Sequence, residues 1–152
     1  MVTLVDERWV PLESERSNEA LLRDGLLQGR AAAARLVSLV SAAETPEEGV
    51  AEVATRIATL PQPLDVVVLG MGLDGHTASF FPEGDRLAEA LDPEGRLPVL
   101  PMRAPGAGEP RITLTLPLIA AAGTVYLHIE GQDKAAVLAQ ALQPGPVEAL
   151  PL

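Results

Sequence analysis

The chain has 152 residues, of which 47% are hydrophobic, and this is typical of one globular domain with a sizeable core. Its formal net charge of −10 argues against nucleic acid and anionic membranes as partners, because neither binds a net anion that lacks a strong basic patch. With no cysteine and only two histidines, the composition excludes a disulfide framework and offers no recognisable metal site. We therefore expect no metal and a cytoplasmic protein.

The chain opens with a β-branched run, Val2 to Val5, which predicts a strand. Asp6 and Arg8 follow at its carboxyl end. These two side chains either pair on the surface, as most such neighbours do, or line a pocket. No basic region followed by an apolar stretch is present at the amino terminus, so we expect no secretory signal.

Three helices are predicted in the first 60 residues. Ser17 is placed to cap a helix over Glu19 to Leu27, and the role of Asn18 beside it stays open. Alanine-rich residues 31–40 favour a second helix. The third, Glu47 to Leu60, has Pro46 in its first turn and apolar residues on one face at helical spacing.

Val66 to Leu69 is the central strand of the prediction. Four consecutive aliphatic residues that end at a glycine indicate a strand buried on both faces, in the middle of a parallel sheet. Gly70, Gly72 and Gly75 follow, and they allow a sharp turn that approaches a ligand closely. In open α/β sheets ligands bind just past the carboxyl ends of the strands.

Three interpretations compete for this glycine loop. The glycines fit G-x-G-x-x-G, but a dinucleotide site needs a helix after the third glycine and an acidic residue about 20 positions on, where this chain has Gly95. A plain turn with a surface histidine is the second interpretation. The third is catalytic: Asp74 lies two residues before His76, so that its carboxylate orients the imidazole for proton transfer.

The following segment alternates weak and strong signals. Residues 83–91 predict a weak acidic helix, with Thr77 or Ser79 before it as the cap of a short turn that Pro82 closes. The proline- and glycine-rich residues 92–110 predict a surface loop that contains a short strand, Val99 to Met102.

Residues 112–129 contain no Asp, Glu, Lys or Arg over 18 positions, the lower limit for a membrane-spanning helix. Pro117 and Gly123 interrupt the stretch. It is better interpreted as a strand (residues 111–116), a helical turn (117–122) and a second strand (124–129). No membrane span is therefore expected.

Two cations in the carboxyl-terminal third are candidates for ligand binding. Arg111 opens a predicted strand, and an ordinary strand-end arginine is as good an explanation as a ligand contact. Lys134 is the sole lysine of the chain and lies in the first turn of a predicted helix, residues 134–142, where a cation works against the helix dipole. Lys134 either contacts a ligand or is an ordinary helix residue.

The sequence GMGLDGHTASFFP, at residues 70–82, resembles the signature of 6-phosphogluconolactonases. DERWVPLESERSN near the start and RITLTLPLIAAAGTVYLHIEGQDKAAVL near the end agree with it. The resemblance implies a modified Rossmann-like α/β fold with a mostly parallel sheet flanked by helices, and a site that hydrolyses a phosphorylated sugar lactone without a cofactor.

The same resemblance implies roles for single residues. His76, oriented by Asp74, acts as the base that activates water. Asp6 and Arg8 line the lactone pocket, and Arg8 with backbone donors of the glycine loop stabilises the oxyanion. The substrate-binding set that the resemblance implies comprises Gly70, Gly72, Gly75, Asn18, Arg111 and Lys134.

Two alternatives remain. Glucosamine-6-phosphate deaminases share Asp6 and His76, but their loop continues differently from Thr77 to Pro82. The other alternative is a non-catalytic remnant, because residues 1–152 form a single partial domain that lacks the S-G-G-S-T-P type phosphate loop of the family. We expect an incomplete sheet, self-association through its uncovered surface, weak binding of 6-phosphogluconate, and recovery when the amino-terminal segment of a relative is fused ahead of Met1.

Overall fold

Short apolar runs of the sequence become short strands in the computed structural model, which describes residues 1–151. Their order along the chain is β1 (Val2–Thr3), β2 (Asp6–Arg8), β3 (Leu36–Val37), β4 (Val66–Leu69), β5 (Val99–Met102), β6 (Arg111–Leu114) and β7 (Thr124–Leu127). Every strand is two to four residues long.

The helices lie between these strands. They are α1 (Asn18–Gly25), α2 (Pro46–Ile57), α3 (Leu87–Ala90), α4 (Leu116–Ala120) and α5 (Gln132–Ala141), with 3₁₀ turns at Gly29–Ala33 and Val147–Ala149. The predicted cap of α1 is confirmed: Ser17 accepts a hydrogen bond from the backbone N–H of Ala20. At α2, Thr45 accepts one from the backbone N–H of Glu48. Within residues 1–151, no helix is both long and apolar enough to cross a membrane.

The strands pair into three small sheets. β1 pairs with β3 and β4 pairs with β7, both in parallel, while β2, β6 and β5 form an antiparallel sheet in that order. The predicted α/β class with parallel pairing and flanking helices is confirmed. The antiparallel sheet was not predicted; β5 and β6 pair across the proline-rich loop that joins them.

Residues 31–40 do not form the predicted helix. Their alanines form only a 3₁₀ turn, and Leu36–Val37 then pairs with β1. Val37 and Leu39 are thereby buried, 5% and 0% exposed. Burial of apolar side chains in tertiary contacts outweighs the helix propensity of the alanines, which is the highest of any residue but is worth less than about 1 kcal/mol each.

One apolar core lies between α2 and the antiparallel sheet. Val53 and Ile57 on the predicted inner face of α2 are fully buried, as are Ile112 and Leu114 of β6. Because β6 is the central strand of its sheet, this packing fixes the start of β6, where Arg111 lies, relative to β2.

The prediction that β4 is buried on both faces is wrong. Val67 is 3% exposed, but Val66 and Val68 are 55% and 57% exposed. The described part of the chain covers only one face of β4, so side chains that alternate along this strand meet the core and solvent in turn.

Candidate active site

The strand order brings three polar segments to one place. Arg8 at the end of β2 lies opposite Arg111 at the start of β6 in the antiparallel register. The glycine loop follows β4, and Ser79 beyond it donates a hydrogen bond to Asp6 of β2, with 2.7 Å between Oγ and Oδ2. The candidate residues on β2, on β6 and after β4 therefore form one cluster.

The glycine loop closes on itself. The backbone N–H of Gly72 donates to the carbonyl of His76 at 2.8 Å, and that of Gly75 donates to the carbonyl of Gly72 at 3.2 Å. A Cβ atom at Gly72 would overlap His76 Nδ1 and Asp74 Oδ1, and Gly75 has a φ of +80°. Both positions therefore require glycine.

Two expectations for this loop need correction. The N–H groups of Gly72 and Gly75 already donate within the loop, so these two are excluded from the backbone oxyanion donors that were expected of it. A Cβ atom at Gly70 would meet no other atom within 4 Å, and the residue has no positive φ, so nothing in its surroundings requires a glycine. After Gly75 the chain forms only a turn, Thr77 to Phe80, and not the helix that a dinucleotide fingerprint needs.

Asp74 and His76 form the pair that their spacing predicts. His76 Nδ1 lies 2.6 Å from Asp74 Oδ1, which also accepts the backbone N–H of His76 at 3.3 Å. Partial burial opposes ionisation of Asp74, but the hydrogen bonds from His76 outweigh it and lower the pKa of Asp74. An ionised Asp74 holds the proton on Nδ1 and leaves Nε2 as the free acceptor of the ring.

The Phe81 ring lies close to both the His76 imidazole and the Arg111 guanidinium. Its ring centroid is 4.2 Å from that of His76, and the guanidinium carbon of Arg111 lies 5.3 Å from the Phe81 centroid. Phe81 is 2% exposed, so its ring is fixed by the core. No role was predicted for Phe81 from the sequence; its place beside the histidine motif was the only signal.

The two arginines are held from different directions. Arg8 Nη1 donates to the carbonyl of Arg16 at 2.8 Å and to Asn18 Oδ1 at 2.9 Å, and Arg111 Nη2 donates to the carbonyl of Ala107 at 2.8 Å. Burial lowers the pKa of Arg111; the negative charge of Asp6 opposes this shift and the positive charge of Arg8 adds to it. The two arginines are therefore neighbours across β2 and β6, with the Asp6 carboxylate 3.5 Å from Arg111 Nη1.

Asp6 does not form the surface ion pair with Arg8 that was the alternative prediction. Its Oδ2 accepts from Ser79 Oγ and lies 3.5 Å from Arg111 Nη1, while its backbone carbonyl accepts from Asn18 Nδ2 at 3.2 Å. Ser79 is fully buried and caps no helix. The predicted cap role of Ser79 is wrong, because its hydroxyl is used to hold Asp6.

Within residues 1–151, no hydrogen bond or ion pair joins Lys134 to this cluster. It lies near the amino terminus of α5, and β7, which precedes α5, ends at the same sheet edge as β4. Within residues 1–151 the Lys134 side chain makes no hydrogen bond or ion pair. Its predicted ligand contact remains a prediction.

The fold and this cluster define a class: an α/β protein with an acid–base pair and two arginines where its strands end. A sequence model described as "Glucosamine-6-phosphate isomerases/6-phosphogluconolactonase" matches residues 1–152. The chain belongs to this family.

Of the two activities in this family description, similar proteins are named for the second, 6-phosphogluconolactonase. The chain is 56% identical to a 6-phosphogluconolactonase of Rhizobium meliloti (strain 1021), with 99% of this chain and 65% of the relative covered. It is 47% identical to one of Pseudomonas aeruginosa, with 93% and 59% covered. A crystal structure of a 6-phosphogluconolactonase from Shewanella baltica OS155 superposes with a TM-score of 0.94 at 41% identity, with 98% and 63% covered. The chain thus spans about three fifths of the length of the relatives it matches.

Proposed function

We propose that this chain carries the hydrolytic site of a 6-phosphogluconolactonase, in which His76 activates water to open the lactone. The observation that carries the proposal is the 2.6 Å contact between His76 Nδ1 and Asp74 Oδ1. A general base must have one free nitrogen and a fixed ring, and Asp74 together with Phe81 supplies both conditions.

The reaction follows from the atoms of this pair. His76 Nε2 takes a proton from water, and the resulting hydroxide attacks the lactone carbonyl carbon to give a tetrahedral oxyanion. The bond between that carbon and the ring oxygen then breaks, and the imidazolium returns its proton to the departing oxygen. The ionised Asp74 stabilises the imidazolium between the two steps.

We assign Arg8 and Arg111 to the stabilisation of negative charge on the oxyanion and on the substrate. Of the Arg8 guanidinium, Nη1 is used by Arg16 and Asn18, while Nη2 has no hydrogen-bond partner within the described residues. A fixed donor aimed at a developing oxyanion stabilises the transition state by about 3 kcal/mol. The same two cations suit an anionic sugar phosphate in a chain whose net charge is −10.

The substrate class follows from the relatives, which are named 6-phosphogluconolactonases. A phosphorylated sugar lactone, the pentose phosphate pathway and a cytoplasmic location are therefore parts of the proposal. The alternative is the other activity in the family description, isomerisation or deamination of glucosamine 6-phosphate. The sequence Thr77 to Pro82 favours the lactonase, since it departs from the deaminase pattern.

The test supplies both substrates to the same protein. We expect release of 6-phosphogluconate from the lactone above the spontaneous rate, and no ammonia from glucosamine 6-phosphate. Ammonia release without lactone hydrolysis would reverse the assignment. If neither product forms from a folded protein, the site of this chain alone is not catalytic.

A further inference from the structure

The strongest unexplained group outside the proposed reaction is a buried carboxylate. Glu7 lies between Asp6 and Arg8 on β2 and is 0% exposed, yet within residues 1–151 no arginine, lysine or histidine pairs with it. An ionised carboxylate without a cation is costly to bury unless hydrogen bonds compensate. Its partners therefore show what it is for.

Four donors converge on this carboxylate. Glu7 Oε1 accepts the backbone N–H groups of Arg8 and Asn18, both at 2.8 Å. Glu7 Oε2 accepts the backbone N–H of Glu19 at 2.6 Å and the hydroxyl of Ser17 at 3.2 Å. Three of these donors belong to the first turn of α1 and its cap, where N–H groups otherwise lack partners and where negative charge is favoured.

The first turn of α1 is also what holds the Arg8 side chain. Asn18, whose N–H donates to Glu7, accepts from Arg8 Nη1 through its own side chain. The second acceptor of Arg8 Nη1 is the carbonyl of Arg16, directly before the Ser17 cap. Both acceptors therefore lie at the turn that Glu7 holds.

We propose that Glu7 is a positioning residue, which fixes the start of α1 so that Asn18 and Arg16 hold the Arg8 guanidinium at the site. The proposal rests on the role of Arg8 in the proposed function. Glu7 contacts no reacting atom; it acts through the helix start, and a small displacement of a charged donor is enough to reduce a rate.

The main test is the variant Glu7→Gln, which keeps the shape but places an amide NH₂ against N–H donors. We expect kcat for lactone hydrolysis to fall about 10- to 100-fold with little change in KM, because an oxyanion donor acts in the transition state. In an Arg8→Ala background the same change should cause little further loss, since its effect passes through Arg8. Equal losses in both backgrounds would overturn the proposal.

A matched control comes from the same helix turn. Glu19 is also buried, 5% exposed, but its carboxylate pairs with Arg23 at 2.7 Å and makes no hydrogen bond to Arg8, Arg16 or Asn18. Glu19→Gln should therefore leave kcat unchanged. If Glu19→Gln lowered kcat as much as Glu7→Gln, the loss would be a general effect of removing a buried carboxylate near α1. The proposal that Glu7 positions Arg8 would then fail.

A crystal structure of the variant separates this proposal from the proposed function. If the unsubstituted protein shows no lactone hydrolysis, the proposed function fails, and the position of Arg8 decides the role of Glu7. We expect the 2.9 Å contact between Arg8 Nη1 and Asn18 Oδ1 to be lost in Glu7→Gln. An unmoved Arg8 would contradict the proposal. If Glu7→Gln does not fold, Glu7→Asp, which keeps the charge but shortens the reach, is measured with the same expectations.

Discussion

At the scale of single residues, the side chains assigned to the site are each held by a neighbouring side chain. Asp74 holds the His76 ring, Phe81 packs against that ring, and Ser79 holds Asp6. Only the Asp74–His76 contact joins residues close enough in sequence to be predicted from spacing. Ser79 and Asp6 are 73 residues apart, so their contact required the fold.

The Asp74–His76 pair predicts a pH-dependent stability. Because the pKa of Asp74 is lowered in the folded state, its ionised form stabilises the fold above the ordinary aspartate pKa of about 3.9. This contribution is lost as the pH falls through the lowered pKa. We therefore expect Asp74→Asn to be less stable than the unsubstituted protein near neutral pH, and the difference to shrink in acid.

Urea unfolding of the two proteins at a series of pH values from about 3 to 7 measures this difference. Asp74 is 44% exposed, so solvent screening keeps the effect small and only its direction is predicted. A difference that is constant across the series would mean that Asp74 contributes through something other than its charge.

At the scale of elements, the glycine loop sets the geometry of the site. A methyl group at position 72 would overlap both members of the Asp74–His76 pair, whereas one at position 70 meets nothing within 4 Å. The two glycines are two residues apart in the same loop. They offer a matched pair of alanine substitutions.

We expect Gly72→Ala to reduce lactone hydrolysis by about 10²-fold or more, because it displaces the base from its carboxylate. Gly70→Ala should leave the rate nearly unchanged. Steady-state rates of both variants, with circular dichroism to confirm folding, make the comparison. Equal losses would show that the loop backbone as a whole, and not the space at Gly72, determines the rate.

The elements also show where sequence patterns are sufficient. The apolar face of α2, the strand–helix–strand of residues 111–127 and the turn after β4 all follow from local spacing, and the structure confirms them. The helix predicted for residues 31–40 is wrong because Leu36–Val37 pairs with β1 instead. Glu7 was passed over because its role depends on α1, which reaches it only in the folded chain.

At the scale of the whole molecule, one face of the β4–β7 pair is open. Val66, Val68 and Tyr126 are each 55–58% exposed there. A cleft of about 460 Å³ lies between β4 and the segment Met1 to Val5, lined mostly by apolar side chains. Exposed apolar surface beside unpaired strand edges favours association.

We therefore expect residues 1–152 to self-associate through this surface. Val68→Lys should reduce association because it places a charge on the open face, at a position 57% exposed. Leu21→Lys, at a position 71% exposed on α1, is the control and should have no effect. Sedimentation velocity compares the three proteins. A well-dispersed monomer before any substitution would contradict the expectation.

The base assignment is the central claim, and one rate measurement tests it most directly. Lactone hydrolysis is compared between the His76 and His76→Ala proteins, both as residues 1–152 and fused to the part of the Rhizobium meliloti relative that lies outside the matched 65%. Where the His76 protein is active, we expect His76→Ala to lower the rate by roughly 10²- to 10⁴-fold, the usual contribution of a positioned proton-transfer group. A His76→Ala protein that keeps the full rate above spontaneous hydrolysis would contradict the proposed mechanism.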